Sequence, residues 1–236
     1  MQLTPINIFK FLEKKEGRPI PVKLKLIHEL PLTPEDLDVK GDLDLKGTAI
    51  TSLPDNLKVG GHLDLSDTEI TSLPDNFKVG RSLDLADTKI TSLPNNLQIG
   101  GNLYLNRTKI TSLPDTLEVE DVLFLNNTEI TSLPDNFTFN GSLDLSDTKI
   151  TSLPNNLQIG DNLYLNRTKI TSLPDDLKVG GDLDLRGTEI TSLPNNLQIG
   201  DDLWLIRTPI AKKYSEDQIR KMIKDKGGYV TKNIFI

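Results

Sequence analysis

A chain of 236 residues with 36% hydrophobic and only 5% aromatic content has room for one large domain or two small ones, with few apolar residues to fill either. Its formal charge of −7 is unevenly placed: 7 basic against 6 acidic residues over 1–40, 13 against 25 over 41–210, and 7 against 3 over 211–236. That acidic body repels phosphate backbones and steers toward a protein partner with a basic surface rather than toward nucleic acid, while the lack of cysteine and a total of two histidines remove disulfides, thiolate zinc and histidine-based metal chemistry.

Thr4 before Pro5 has the form of an N-cap followed by a first-turn proline, and Ile8, Phe9, Phe11 and Leu12 predict an apolar helix that ends at Gly17. After Pro19 and Pro21 the stretch VKLKLIHE alternates like a strand. Pro34, Leu37 and Val39 then stand in register with Pro54, Leu57 and Val59, so a degenerate repeat begins before Leu43. The N-terminus lacks a basic region leading into an apolar stretch, and no apolar run is long enough to span a bilayer. The expectation is a soluble, cytoplasmic chain without a membrane segment.

From Leu43 the chain falls into rows of twenty without an insertion: LDLKGTAITSLPDNLKVGGH, LDLSDTEITSLPDNFKVGRS, and onward to LWLIRTPIAK at Leu203, eight complete units and a ninth cut short. The common pattern is L-x-L-x-x-T-x-I-T-S-L-P-x-x-L/F-x-V/I-G-x-x, with departures at Glu120, Phe139 and Asn140. A period of this length means stacked coils, none able to bury its apolar side alone. Leu63 and Leu65 alternate with Asp64, so a short strand points leucines inward and aspartate outward, and neighbouring coils pair these strands in parallel. Thr68 and its equivalents can bond backbone groups of the turn that leaves the strand. Pro54 and its equivalents forbid a long helix on the return path. Gly60 and its counterparts are expected to take positive φ where the chain re-enters the strand, a conformation that Asn140 tolerates and Glu120 does not, so residues 118–122 are expected to bend differently.

The run L-x-L-x-x-T-x-I-T-S-L-P-x-x-L resembles the L-x-L-x-x-N-x-L core of leucine-rich repeats, and the twenty-residue unit with its Leu-Pro step is similar to the short type found in bacterial secreted effectors and in bacterial and phage proteins. The resemblance covers roughly residues 43–212. It implies a mainly β solenoid, a right-handed spiral with a parallel strand ladder, and a protein-binding role. Threonine replaces the usual ladder asparagine, and glycine occupies the place of a leucine before the strand, which points to an all-β spiral rather than a horseshoe. The ubiquitin-ligase domain of the effectors, with its catalytic cysteine, has no counterpart in a chain without cysteine.

Past the repeats, Ser215 and Gln218 form a capping box that opens a helix carrying Ile219, Met222 and Ile223 on one face and stopping at Gly227. The terminal YVTKNIFI alternates like a strand that either extends the sheet edge or folds back over the helix. The chain thus divides into an N-terminal cap over 1–42, nine repeats over 43–212 and a C-terminal cap over 213–236, with helices covering the open ends of the stack.

Among the copies, the position between the two strand leucines varies: Asp44, Asp64, Asp84, Tyr104, Phe124, Asp144, Tyr164, Asp184 and Trp204, stacked at about 4.8 Å. On the same face stand His62, Asn102, Asn106, Asn126, Asn162, Asn166, Asp182, Arg186, Asp202 and Ile206. Rigid aromatics amid polar neighbours suit a binding stripe, with adjacent Tyr104 and Phe124 as its centre. Arg107, Arg167 and Arg207 could meet a partner's carboxylates. The competing reading is that aromatics simply suit strands and stack on one another. Residues 95–115 and 155–175 differ only at Gly101 against Asp161, so Tyr104 and Tyr164 can be copies of one ancestor. The aspartates lack the glycine-rich turns of calcium-binding spirals. In the column Glu69, Lys89, Lys109, Glu129, Lys149, Lys169 and Glu189, four of the six neighbouring pairs are opposite in sign, which fits inter-coil ion pairing. With serines and threonines recurring as scaffold positions and no phosphate loop, catalysis and cofactor binding are not expected. The expected function is a protein-binding scaffold, monomeric or weakly self-associating. A glycan or small-molecule binder using the aromatic stripe, or a structural subunit, are the alternatives.

Overall fold

The computed structural model describes residues 5–17, 19–135 and 137–236. It is a parallel β-solenoid in which each twenty-residue coil carries two short strands. On the first face lie β2 (Leu43–Asp44), β4 (Leu63–Asp64), β6 (Leu83–Asp84), β8 (Leu103–Tyr104), β10 (Val122–Phe124), β12 (Ser142–Asp144), β14 (Leu163–Tyr164), β16 (Leu183–Asp184), β18 (Leu203–Trp204) and β20 (Ile234–Phe235), joined in that order as one ten-stranded sheet. On the second face β1 (Asp38–Val39), β3 (Lys58–Val59), β5 (Lys78–Val79), β7 (Gln98–Ile99) and β9 (Glu118–Val119) form one five-stranded sheet, and β11 (Thr138–Phe139), β13 (Gln158–Ile159), β15 (Lys178–Val179), β17 (Gln198–Ile199) and β19 (Tyr229–Val230) form another. The register is the repeat itself: Leu63 stands beside Leu83 and Asp64 beside Asp84.

The core is a column of matched residues. In one coil Leu83, Leu85, Ile90, Leu97 and Ile99 are all buried, and the same holds in coil after coil. Each such aliphatic contributes about 1.5–3 kcal/mol on burial, but only when a neighbouring coil lies against it, which is why the stack is cooperative. The nine threonines act as expected: Thr68 Oγ1 donates to the Leu65 carbonyl at 2.6 Å, and the same local bond recurs from Thr48 to Thr208.

The glycines work differently from the sequence-based expectation. Gly60, Gly80, Gly100, Gly160, Gly180 and Gly200 are not among the positive-φ residues. They are required by close approach: a Cβ on Gly80 would meet the Gly60 carbonyl oxygen at 2.3 Å, and one on Gly200 the Gly180 oxygen at 1.9 Å. Left-handed backbone occurs instead just before the threonine, at Gly47, Asp67, Asp87, Arg107, Asn127, Asp147, Arg167, Gly187 and Arg207, and again at Asn56 and its equivalents after the proline turn.

The break in the second face follows from that contact. Glu120 and Asn140 carry side chains at the glycine position in two successive coils; β9 still pairs with β7 despite Glu120, but where the two non-glycine residues meet β9 and β11 do not pair. Close approach passes to Gly141, whose Cβ would lie 1.5 Å from the Asp121 carbonyl oxygen. On the first face β10 and β12 lengthen to three residues and hold the two halves together through Val122–Ser142, Leu123–Leu143 and Phe124–Asp144.

At the N-terminal end α1 (Pro5–Glu16) matches the expected helix; its Thr4 cap lies outside the described residues. Ile8 and Phe11 are exposed, so its apolar character is only partly used. The stretch expected as a strand is instead α2 (Val22–Ile27), launched from Pro21, whose carbonyl accepts from the Leu24 and Lys25 amides. Helical spacing brings Val22, Leu26 and Ile27 onto the first coil, a contact an alternating strand would not make. The degenerate coil is present, since β1 pairs with β3 through Asp38–Lys58 and Val39–Val59.

At the other end α3 (Pro209–Lys213) is capped by Thr208, and α4 (Glu216–Asp225) by the Ser215–Gln218 box. Ile219 and Ile223 are buried beneath α4. The terminal residues complete a last coil, β19 on the second face and β20 on the first. Arg220 reaches from α4 to donate to the Val230 and Lys232 carbonyls at 3.2 and 2.9 Å, occupying acceptors on that last coil.

Candidate functional site

The first face carries the variable column in a straight line, as the paired registers require. Its aspartates are held by their own turns: the Oδ1 atoms of Asp44, Asp64, Asp84, Asp144 and Asp184 accept from the amides of Lys46, Ser66, Ala86, Ser146 and Arg186 at 2.9–3.0 Å. These are side-chain turns that shape the exit from the strand. Where the column is Tyr104, Phe124 or Tyr164, the residue two further on is asparagine, Asn106, Asn126 or Asn166.

Several candidate contacts are engaged within the chain. Asp184 is 1% exposed, and Arg186 grips it while lying over the Trp204 ring at 5.4 Å. Asn166 is also buried, at 8% exposure. Arg107 forms a two-pronged pair with Asp87 of the preceding coil, and Arg167 does the same with Asp147, so these guanidiniums are not free for a partner's carboxylates. Those bonds hold the Asp87 carboxyl below its ordinary range and raise both arginines. Trp204 is covered on one side by Phe235, stacked at 3.8 Å between centroids. The C-terminal strand thus closes the aromatic stripe.

What remains open is central. Tyr104 and Phe124 stack at 4.7 Å between centroids with their planes 6° apart, both half-buried. Asn102 donates to the Tyr104 hydroxyl at 2.9 Å. Asn106 and Asn126, on the same face, make no side-chain hydrogen bond among the described residues. Asp84 flanks the stack on one side and Asp144 on the other. Burial raises the Asp84 carboxyl above its ordinary value despite the Ala86 amide, and Asp64 adds to the rise. Further along, Tyr164 lies between Asp144 and Asp184, and burial first, then the carboxylates of Asp182 and Asp161 ahead of those two neighbours, raise its phenol.

One column that the sequence placed on the binding face has a structural role that was not foreseen. The residue just before each first-face strand gives its side chain to the backbone amide of the next coil: Asp42 to His62, His62 Nδ1 to Ser82, Ser82 to Asn102, Asn102 to Val122, then Ser142 to Asn162, Asn162 to Asp182, Asp182 to Asp202, and Asp202 to Asn233. The signal was available, because all these residues carry an acceptor. Val122 alone does not, and there the Ser142 amide turns to the Asp121 carbonyl at 3.2 Å. His62 is therefore a structural residue, and His28 packs against Phe9 at 5.2 Å. In the Glu/Lys column, Lys89 pairs with Glu69 and Lys149 with Glu129.

Among the described residues no group of three metal-ligating side chains occurs, and no helix is long and apolar enough to cross a membrane. No family model matches the chain, and no curated protein matches it either. The class defined by fold and repeat is that of repeat proteins built as parallel β-solenoids.

Proposed function

We propose that the chain is a non-enzymatic, cytoplasmic protein-binding scaffold, an adaptor or inhibitor of the short bacterial or phage leucine-rich-repeat type, that engages its partner on the first face around Tyr104 and Phe124. The observation that supports this reading is the half-exposed Tyr104–Phe124 stack with two asparagines beside it, Asn106 and Asn126, whose side-chain amides have no partner among the described residues. An aromatic centre ringed by adaptable polar groups is the pattern of a binding hot spot. The acidic repeats favour a partner with a basic surface, whose cationic side chains would meet Asp84 and Asp144 at the margins of the stack.

The stacking favours protein over glycan. Rings stacked at strand spacing present edges to solvent, because each covers a face of its neighbour. A sugar that packs on a ring face needs that face open, whereas a protein side chain can insert between edges. Tagged parent chain and a Tyr104→Ala/Phe124→Ala variant, compared by quantitative capture from lysate, test the reading. A partner depleted at least about tenfold by the double variant and kept by Lys89→Ala is expected. Equal capture by both chains, or saturable binding on a glycan array that the double variant abolishes, would sink it.

A further inference from the structure

The second face carries a feature separate from the aromatic stripe. A groove of about 1020 Å³ runs along the first five-stranded sheet and ends at the break between β9 and β11. Across β3 and β5 it holds two exposed lysines as neighbours, Lys58 and Lys78, and across β9 it holds exposed Glu118 and Glu120, with neutral Gln98 between. Some inter-coil neighbours elsewhere are matched, as in Arg107–Asp87, Arg167–Asp147, Lys89–Glu69 and Lys149–Glu129, while Lys89 and Lys109 repeat the like-charge arrangement of Lys58 and Lys78 outside the groove. In the groove Asp38 stands beside Lys58 in register but is bound by Lys40, leaving Lys78 without an acidic neighbour on the adjoining strands. Among the described residues Lys58, Lys78, Glu118 and Glu120 have no ion-pair partner within 4.0 Å. Like charges side by side on adjacent strands repel unless something brings counter-charge.

The break adds an apolar slot. Leu117, Val119 and Phe137 are partly exposed there, while their equivalents Leu97, Ile99 and Leu157 are buried. The groove reaches past them to Leu123 on the first-face strand. Among the described residues the Thr138 and Asn140 amides and the Leu117 and Val119 carbonyls lack the inter-coil bonds that the Gln98 and Gly100 amides make to the Phe77 and Val79 carbonyls. Positive end, neutral spacer, negative end, apolar slot and these main-chain groups lie in one line.

We propose that this groove binds an extended segment of a protein partner, with acidic residues over Lys58 and Lys78, basic residues at Glu118 and Glu120, and an adjacent apolar side chain in the slot between Leu117 and Phe137. The occupant is an extended chain because the charges are stepped along the solenoid at strand spacing. Lys78 to Glu118 spans two such steps, about 10 Å, which about three extended residues cover. A small apolar ligand fits less well, since it would leave both charged ends unanswered.

The test uses the full chain and fluorescein-labelled synthetic peptides carrying two glutamates, a short Ser-Thr spacer and Arg-Leu-Lys, made in both chain directions, beside a scramble that alternates the charges. Saturable polarisation with one direction, at least about tenfold tighter than the scramble, is expected. Lys58→Glu/Lys78→Glu should weaken it by at least about tenfold. A chain that also carries Glu118→Lys/Glu120→Lys should prefer the charge-reversed peptide, and Tyr104→Ala/Phe124→Ala should leave binding unchanged. These exposed substitutions are checked for folding by circular dichroism, and the charge-reversal gain of binding cannot come from an unfolded chain. Equal binding of parent and scramble, no saturation in either direction, or concentration-dependent dimers abolished by Lys58→Glu/Lys78→Glu would overturn the proposal.

Discussion

At the scale of single residues, neighbours twenty positions apart decide what each position tolerates. A methyl group on Gly180 would stand 2.1 Å from the Gly160 carbonyl oxygen, a backbone atom that cannot swing aside. Gly41, outside the left-handed region, has nothing within 4 Å of the same position. Gly180→Ala is therefore expected to cost about 1–3 kcal/mol as the coils part, whereas Gly41→Ala should stabilise by about 0.4–1 kcal/mol through a less flexible unfolded chain. Urea midpoints of the two variants check both signs, and equal shifts would contradict the close-approach account. Asp84 gives a pH-dependent case. Burial raises its carboxyl above 3.8 in the folded state, so the charged form is the disfavoured one. Stability from this group is fully present below 3.8 and is lost as pH rises through the raised value. Asp84→Asn keeps an oxygen for the Ala86 amide and removes the charge, so it should raise the melting temperature at neutral pH and leave it unchanged in acid. A variant less stable than the parent at neutral pH would show that the carboxylate is a net asset there.

At the scale of elements, the ends of the stack carry the hazard, because a last coil offers unpaired backbone to any other chain. Arg220 answers this by holding the Val230 and Lys232 carbonyls from α4. Arg220→Leu is expected to give concentration-dependent oligomers by light scattering, while Lys221→Leu, which adds the same side chain but removes only the exposed pair with Asp225, should stay at the parent's size. How far such elements were legible in the sequence depends on whether their partners are local. The capping box of α4 and the threonine bonds involve residues three apart, and their pattern is open to direct inspection. VKLKLIHE alternates as a strand would, yet it forms α2, because its fate rests on packing against a coil that lies far along the chain. The paired second-face strands were hidden for a different reason: Lys58–Val59 is only two residues long, and the sequence shows there just a valine recurring in register with Val39. Within the candidate site, the line of Asp64, Asp84, Tyr104 and Phe124 followed from the period, but the capture of Arg107 by Asp87 needed the left-handed turn that aims one at the other.

At the scale of the whole molecule, a solenoid is nearly one-dimensional, and its cooperativity is only as strong as its weakest junction between coils. That junction is marked in the sequence by three coincident departures: Glu120 and Asn140 in place of glycine, and Val122 in place of a side-chain acceptor. The structure turns them into lost pairing between β9 and β11 and the replacement of a side-chain acceptor by the Asp121 carbonyl at the Ser142 amide, leaving the halves joined chiefly through β10 and β12. Stability should therefore divide there. The single tryptophan, Trp204, belongs to the C-terminal half, so its fluorescence reports that half, while far-ultraviolet circular dichroism reports both. In urea the two signals should follow separate transitions in the parent chain. Glu120→Gly/Asn140→Gly restores the residue that close stacking requires, so it should rejoin the second-face ladder, protect the Thr138 and Asn140 amides from exchange, and bring the two transitions together. Coincident transitions already in the parent would mean that the three-residue strands β10 and β12 couple the halves as tightly as any other pair of coils.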